Sequence, residues 1–334
     1  MNNIFANIKG DKTLWAVLIL LAGFSFLPVY SAASNLAYIS GSGNTFNYLF
    51  KHFIHLSLGF TFMYLMQKIP YHYFRGISIL MIPVVIVLLL YTIFQPSVTD
   101  SLTNTNRWIK IPFVGFTFQP STLAGVILMV YVSRYLAKIK DIDVRFSQTI
   151  LPLWIPTLFI LLLILPANFS TTAIIFSMVI LLCFVGGYPI KHLLGIVLSG
   201  ILVLSIFILT IKAYPGIFPN RVDTWKSRIE NFVNKENTTE NYQIEKAKIA
   251  IATGGVRGLG PGKSVQKNFL PQSSSDFIFA IIIEEYGLIG GLFLLTVYAL
   301  FLLRIIIISN KAESIFGSLL VICLLYTSPS PRDR

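Results

Sequence analysis

Apolar residues in this chain gather into long runs broken by short polar or Gly/Pro-containing connectors. The runs predict membrane-spanning helices over 13–33, 50–67, 74–94, 119–138, 149–166, 170–188, 191–213 and 276–304, and a ninth beginning near Ser314. Several reach the roughly 20 apolar residues that a bilayer crossing requires. The expected fold is therefore all-α, a polytopic transmembrane helical bundle. One connector stands apart, the polar block from about 214 to 275. It divides into a charged, amphipathic part from Arg221 to Lys248 and a glycine-rich part from Gly254 to Gly262.

Composition agrees with lipid as the solvent. Of 334 residues, 55% are hydrophobic and 12% charged, against about 25% charged in soluble domains. The formal net charge of +12 is read as topology and attraction to anionic membrane lipids, with no nucleic-acid partner. Eleven basic residues, from Lys9 to Lys311, fall on one side of the short-loop map, and Lys51, Arg107 and Lys110 on the other. This bias predicts a cytoplasmic N-terminus and places the 214–275 connector outside, where its length exempts it from the rule. The first span runs past any small-residue cleavage site and is expected to be retained. Cys183 and Cys323 provide no disulfide framework or metal cluster. The tail from Cys323 to Asp333 resembles a translated sequencing adapter. Residues 323–334 are accordingly expected to be an artefact, and 1–322 a single membrane domain whose natural C-terminus lies further on.

Candidate chemistry concentrates in the long connector and the span after it. Gly258-Leu-Gly-Pro-Gly-Lys-Ser264 resembles a phosphate-binding loop, but Arg257 stands where that pattern needs its first glycine. Two readings survive, a flexible turn and a backbone-amide cradle for an anion such as a pyrophosphate. Asp276, at the head of a span, is either a helix cap or a functional carboxylate. Glu284 and Glu285 follow in the same span, where ionisable groups are costly and face a partner or a wet cavity. On a continuous helix Glu284 lies about 12 Å below Asp276 and about 80° around from it, so the two are expected to border one hydrated cleft. Glu285 points elsewhere and is expected to pair with a neighbouring helix. Gly287, Gly290 and Gly291 read as close-packing positions. Arg107 and Lys110, beside Trp108, are either aromatic-belt anchors or a cationic site for a lipid-linked phosphate. The turn at 166–172 reads as a hairpin connection.

These segments, in this order, resemble the SEDS (FtsW/RodA/SpoVE) family. The landmarks are Asn106-Arg-Trp-Ile, Phe118-Gln-Pro-Ser, Pro166 to Thr172, Asn241-Tyr-Gln243, Gly254 to Lys267, Leu270-Pro, and Asp276-Phe-Ile-Phe-Ala-Ile-Ile-Ile-Glu-Glu-Tyr-Gly287. The resemblance implies ten spans, about eight and a half of them present, with one long extracytoplasmic loop. It implies a glycosyltransferase that polymerises lipid II with undecaprenyl pyrophosphate as leaving group. A class B penicillin-binding protein is the implied partner, with other division proteins at the septum of the bacterial inner membrane. The family's essential aspartate falls on Asp276. Arg107, Lys110, Gln119, Arg221, Gln243, Arg257, Lys263 and Glu284 are the implied substrate contacts. A divalent cation is compatible with this chemistry, although the sequence shows no ligand cluster for one.

The chain departs from the family pattern at several places. Thr122 and Gly125 stand where the family often has Glu and Lys. Gln272 and Ser274 replace a Glu and a His before Asp276, and Ala167 replaces an Asp. These neutral replacements motivate a second reading, a scaffold that activates a transpeptidase without polymerising. The membrane-embedded glutamates motivate a third, a transporter of lipid-linked precursor.

Overall fold

In the computed structural model, residues 10–39, 45–95, 108–110, 117–140, 142, 145–213, 239–270 and 276–326 are described. The helices among them are α1 (Lys12–Ile39), α2 (Thr45–Met66), α3 (Tyr73–Phe94), α4 (Pro120–Ile139) and α5 (Phe146–Ile164). They continue with α6 (Phe169–Val185), α7 (Ile190–Ala213), α8 (Thr239–Gly254), α9 (Ile278–Asn310) and α10 (Ile315–Tyr326). Lys12–Ala33, Tyr73–Phe94, Pro120–Ile139, Phe146–Ile164 and Ile278–Asn310 are long and apolar enough to cross a membrane. The predicted all-α, multi-pass membrane architecture is present. Each expected span falls on a described helix, and α8 is an addition inside the polar connector. α10 continues through Cys323 to Tyr326.

The chain forms two compact units. Among the described residues, one lies within Met1–Ile69 and Ser205–Arg304, the other within Pro70–Leu204 and Ile305–Ser328. In the second unit α4 is the central element. Ala124, Leu128, Val132 and Leu136, four residues apart, are all fully buried, because that spacing keeps one helix face turned inward. Against α4 pack Val85 and Leu89 of α3, Val179 and Leu182 of α6, and Leu319 and Cys323 of α10. Cys323 Sγ lies 2.9 Å from Ser133 Oγ. Gly125 packs at 3.4 Å (from a hypothetical Cβ) against Ile175 of α6, so the position where the family often has a lysine is an apolar contact.

α5 carries a π-turn over Ile150–Trp154. Its cause is legible in Pro156, which has no N–H to give the carbonyl of Pro152 four residues earlier. That carbonyl instead accepts from the Tyr131 hydroxyl. A two-residue antiparallel ladder pairs Ile109 with Phe118 and Lys110 with Thr117, leading into α4.

In the first unit, polar contacts join α1 and α9 near both ends of α1. Arg304 donates to Asp11 at 2.6–2.8 Å, and Ser31 donates to Glu285. Twenty residues of helix separate Asp11 from Ser31, about 30 Å, which matches the hydrocarbon thickness of a bilayer. Phe24 packs between them against Tyr286 and Phe293. Arg304 holds the Asp11 carboxyl below its ordinary value of 3.8, with amide bonds adding to the effect.

One expectation is corrected here. The span 276–304 is not one continuous helix, because Gly287 breaks α9 with φ 69° and ψ −174°. That conformation is essentially confined to glycine, and a Cβ there would meet the Val256 carbonyl oxygen at 2.2 Å. Gly287→Ala should therefore cost at least about 3 kcal/mol, read as a lower unfolding temperature in detergent. Gly195→Ala, in α7 with open space around it, should be neutral or gain about 0.5–1 kcal/mol. Equal unfolding temperatures for the two variants would refute this account of the break. A second outcome concerns pH. A depressed carboxyl contributes stability above its ordinary range and loses it as pH falls through its lowered value. Asp11→Asn should thus unfold at a slightly lower temperature than the parent at pH 7, and the difference should close well below pH 3.8.

Candidate functional site

The break at Gly287 leaves orphan backbone groups on both sides, as every helix end does. The glycine-rich connector supplies their partners. The amides of Leu259 and Gly260 donate to the carbonyls of Glu284 and Glu285, each at 2.9 Å. The amides of Leu288 and Ile289, which open the second arm of α9, donate to the carbonyls of Gly255 and Val256 at 2.9 and 3.3 Å. Backbone must meet backbone for this to happen. A Cβ on Gly258 would sit 2.2 Å from the Glu285 carbonyl oxygen, and Gly258 also has φ +78°, so only glycine satisfies both demands.

The same connector then meets the side chains of the two glutamates. Ser264 Oγ donates to Glu284, the Val265 amide donates to it at 3.1 Å and the Gln266 amide at 3.3 Å. Glu285 accepts from the Ser264 amide at 3.3 Å and from the Ser31 hydroxyl of α1. Lys267 Nζ donates to Ser31 Oγ at 3.2 Å and to the Gly262 carbonyl at 2.8 Å. Both glutamates are 1% exposed. A buried carboxylate is tolerated only with such partners.

Two readings change accordingly. Glu284 does not border an opening, because the connector folds over its face of the helix. A helical wheel assigns that face a direction and says nothing of what covers it. In the 258–264 stretch the Leu259 and Gly260 amides go to carbonyls of α9 and the Ser264 amide to the Glu285 carboxylate. The next two amides, of Val265 and Gln266, go to the Glu284 carboxylate. Glu285 meets α1 through Ser31, in keeping with its position on the helix, and also shares the connector with Glu284.

Asp276 stands two residues before α9 and is partly buried. Its Oδ1 is buried with no hydrogen-bond partner among the described residues. Unpaired buried oxygens are uncommon and call for an explanation. Arg257 and Lys263 lie on the glycine-rich connector with exposed side chains, and Gln243 is half-buried on α8. α8 is tied to the connector by Lys246, whose Nζ sits 4.9 Å from the centre of the Phe269 ring. Asp276, Glu284, Arg257, Lys263 and Gln243 thus all belong to the first unit.

Gln119 belongs to the second unit. It precedes α4, is 8% exposed and faces Thr122 Oγ1 at 3.5 Å. The backbone of Lys110 lies in the ladder of the same unit. Arg107 and Arg221 lie outside the described residues. The segments 118–121 and 166–172 do meet, since Pro120, Ser121, Ala167 and Asn168 line one small pocket. Asn168 itself caps α6, accepting from the Thr171 amide at 3.3 Å. Among the described residues no three His, Cys, Asp or Glu side chains form a group that could hold a metal ion.

Sequence reasoning missed Ser31, Ser264 and Lys267 as parts of this cluster. Ser264 and Lys267 lay within a landmark segment; Ser31, in an apolar span, carried no signal beyond being a polar residue in lipid.

The sequence profile of the FtsW/RodA/SpoVE family, described as "Cell cycle protein", matches residues 11–327. The chain is 31% identical to a probable peptidoglycan glycosyltransferase FtsW of Marinomonas mediterranea, over 92% of this chain and 73% of that one. It is 28% identical to a protein of the same description from Coxiella burnetii, over 92% and 81%. Among solved structures it resembles a chain of a peptidoglycan synthase complex described for structural coordination of polymerization and crosslinking. That match has a TM-score of 0.68 at 19% identity, over 96% of this chain and 84% of that one. It also resembles the rod shape determining protein RodA of Thermus thermophilus, with a TM-score of 0.63 at 19% identity, over 96% and 82%.

Proposed function

The chain belongs to the FtsW/RodA/SpoVE family, and from that membership we propose that it is a peptidoglycan glycosyltransferase in which Asp276 assists the polymerisation of lipid II. The observation that carries the assignment to Asp276 is its buried Oδ1, which has no hydrogen-bond partner among the described residues, at the head of an arm held in place by the connector. In this reading the Asp276 carboxylate takes the proton of an acceptor sugar hydroxyl. The hydroxyl oxygen bonds to the anomeric carbon of the donor, and the bond from that carbon to undecaprenyl pyrophosphate breaks. Positioned proton transfer of this kind contributes about 10²–10⁴-fold.

The cationic groups answer the leaving group. Arg257 and Lys263 lie exposed on the connector that is bonded to the arm behind Asp276. With Arg221 they offset pyrophosphate charge as it develops, while Gln243 offers a hydrogen bond to the substrate. Glu284 is set aside as a direct contact, because its carboxylate is occupied by the connector. The connector faces the outside of the inner membrane, the N-terminus lies in the cytoplasm, and the division septum is the place of action. A class B penicillin-binding protein is the partner, supported by the likeness to a chain of a peptidoglycan synthase complex.

The neutral residues at Thr122, Gly125, Gln272 and Ser274 favour a second reading, a scaffold that activates the transpeptidase without polymerising. One assay separates the two. Purified chain with its partner and lipid II should build glycan strands, and Asp276→Asn should lower the rate by about 10²-fold or more without loss of partner binding. Native-rate strand formation by Asp276→Asn would overturn the mechanism. No strands from the parent, with the partner still bound, would establish the scaffold. For the transporter reading, precursor would cross vesicles containing Asp276→Asn as fast as the parent.

A further inference from the structure

We propose that Glu284 is a positioning residue, a bolt through which the glycine-rich connector is held in register with the arm that carries Asp276. The inference rests on the glycosyltransferase reading above and assigns a role that the reaction itself does not require of a glutamate.

The connector and the arm touch at residues 284 and 285 in two independent ways. The backbone carbonyls there take the Leu259 and Gly260 amides, and the side chains there take Ser264, Val265 and Gln266. Glu284 and Glu285 both span the two sets, and Glu284 takes most of the side-chain bonds. Its main chain holds the stretch just after Arg257, and its carboxylate holds the stretch just after Lys263. Each exposed cation is therefore followed within two residues by a bond to Glu284.

That residue lies eight positions beyond Asp276, about 12 Å along the arm. Its carboxylate is buried and already taken by connector donors. Its influence must pass through geometry. Cations that hold a pyrophosphate and a base that serves a sugar hydroxyl have to agree in position, and a misplacement of about 1 Å costs about 10²-fold in rate. Three of the four carboxylate oxygens of Glu284 and Glu285 accept connector or α1 donors. The bolt is multiply bonded, as a part that sets a register must be.

Glu284→Gln keeps the volume but replaces one accepting oxygen with an NH₂ group, which meets the Gln266 amide in either orientation and cannot accept from it. Ser264→Ala removes one hydroxyl donor and leaves the backbone amides, so it tests the same joint with a milder change. Both are compared with the parent and with Asp276→Asn, each with its transpeptidase partner, on lipid II. The expected result is a fall in kcat of about ten- to a hundred-fold for Glu284→Gln and a smaller fall for Ser264→Ala. KM should stay within about twofold for both, and the Ser264→Ala unfolding temperature close to the parent's, since an interaction needed only in the transition state lowers kcat alone. Should Glu284→Gln fail to fold, Ser264→Ala decides. Native kcat in a folded variant overturns the proposal, as does a fall that appears only as lost folded protein. Native kcat in Asp276→Asn would instead overturn the reading beneath it.

Discussion

Two adjacent carboxylates buried at 1% exposure in an apolar helix are the constraint around which the first unit is organised. Each must find donors inside the protein, because desolvating a charged or polar group without them costs several kcal/mol. The donors come from the connector, the amides of residues 264–266 and the Ser264 hydroxyl, and from Ser31 of α1. Just upstream, glycines let the same strip of backbone approach closely enough for the Leu259 and Gly260 amides to reach the carbonyls of Glu284 and Glu285. The break at Gly287 is the other half of the same arrangement, because it creates the helix ends that the strip caps.

This arrangement explains how an irregular segment keeps a defined shape beside a membrane. Non-helical backbone at lipid depth is tolerated only where protein or water satisfies it. Here the connector satisfies the helix and the helix satisfies the connector. Asp11 and Arg304 at one end of α1, and Ser31 and Glu285 near the other, keep the α1–α9 pair in register. At the head of the same arm one oxygen of Asp276 is buried with no hydrogen-bond partner among the described residues.

The departures from the family pattern have a physical accommodation in the second unit. Gly125 is packed against Ile175 and the Thr122 hydroxyl faces Gln119. Losing a buried cation and its carboxylate together costs little when apolar contact replaces them. The π-turn of α5 follows the same logic of exchange: Pro156 removes one donor, and Tyr131 supplies another.

Much was legible in the residues alone. Apolar run length placed the helices, because lipid imposes the same demand on every span. The landmark segments singled out Asp276 and the glycine-rich connector, because both sit in a polar block and at its border. Tertiary structure decided what those residues do for one another. Periodicity turned Glu284 towards an opening, yet the connector covers that face, and the run 276–304 read as one helix until Gly287 was seen to break it. Hydropathy is a sum over neighbours in sequence, whereas the partner of a buried carboxylate is chosen by neighbours in space. Ser31, more than 250 positions from Glu285 in the chain, belongs wholly to the second kind.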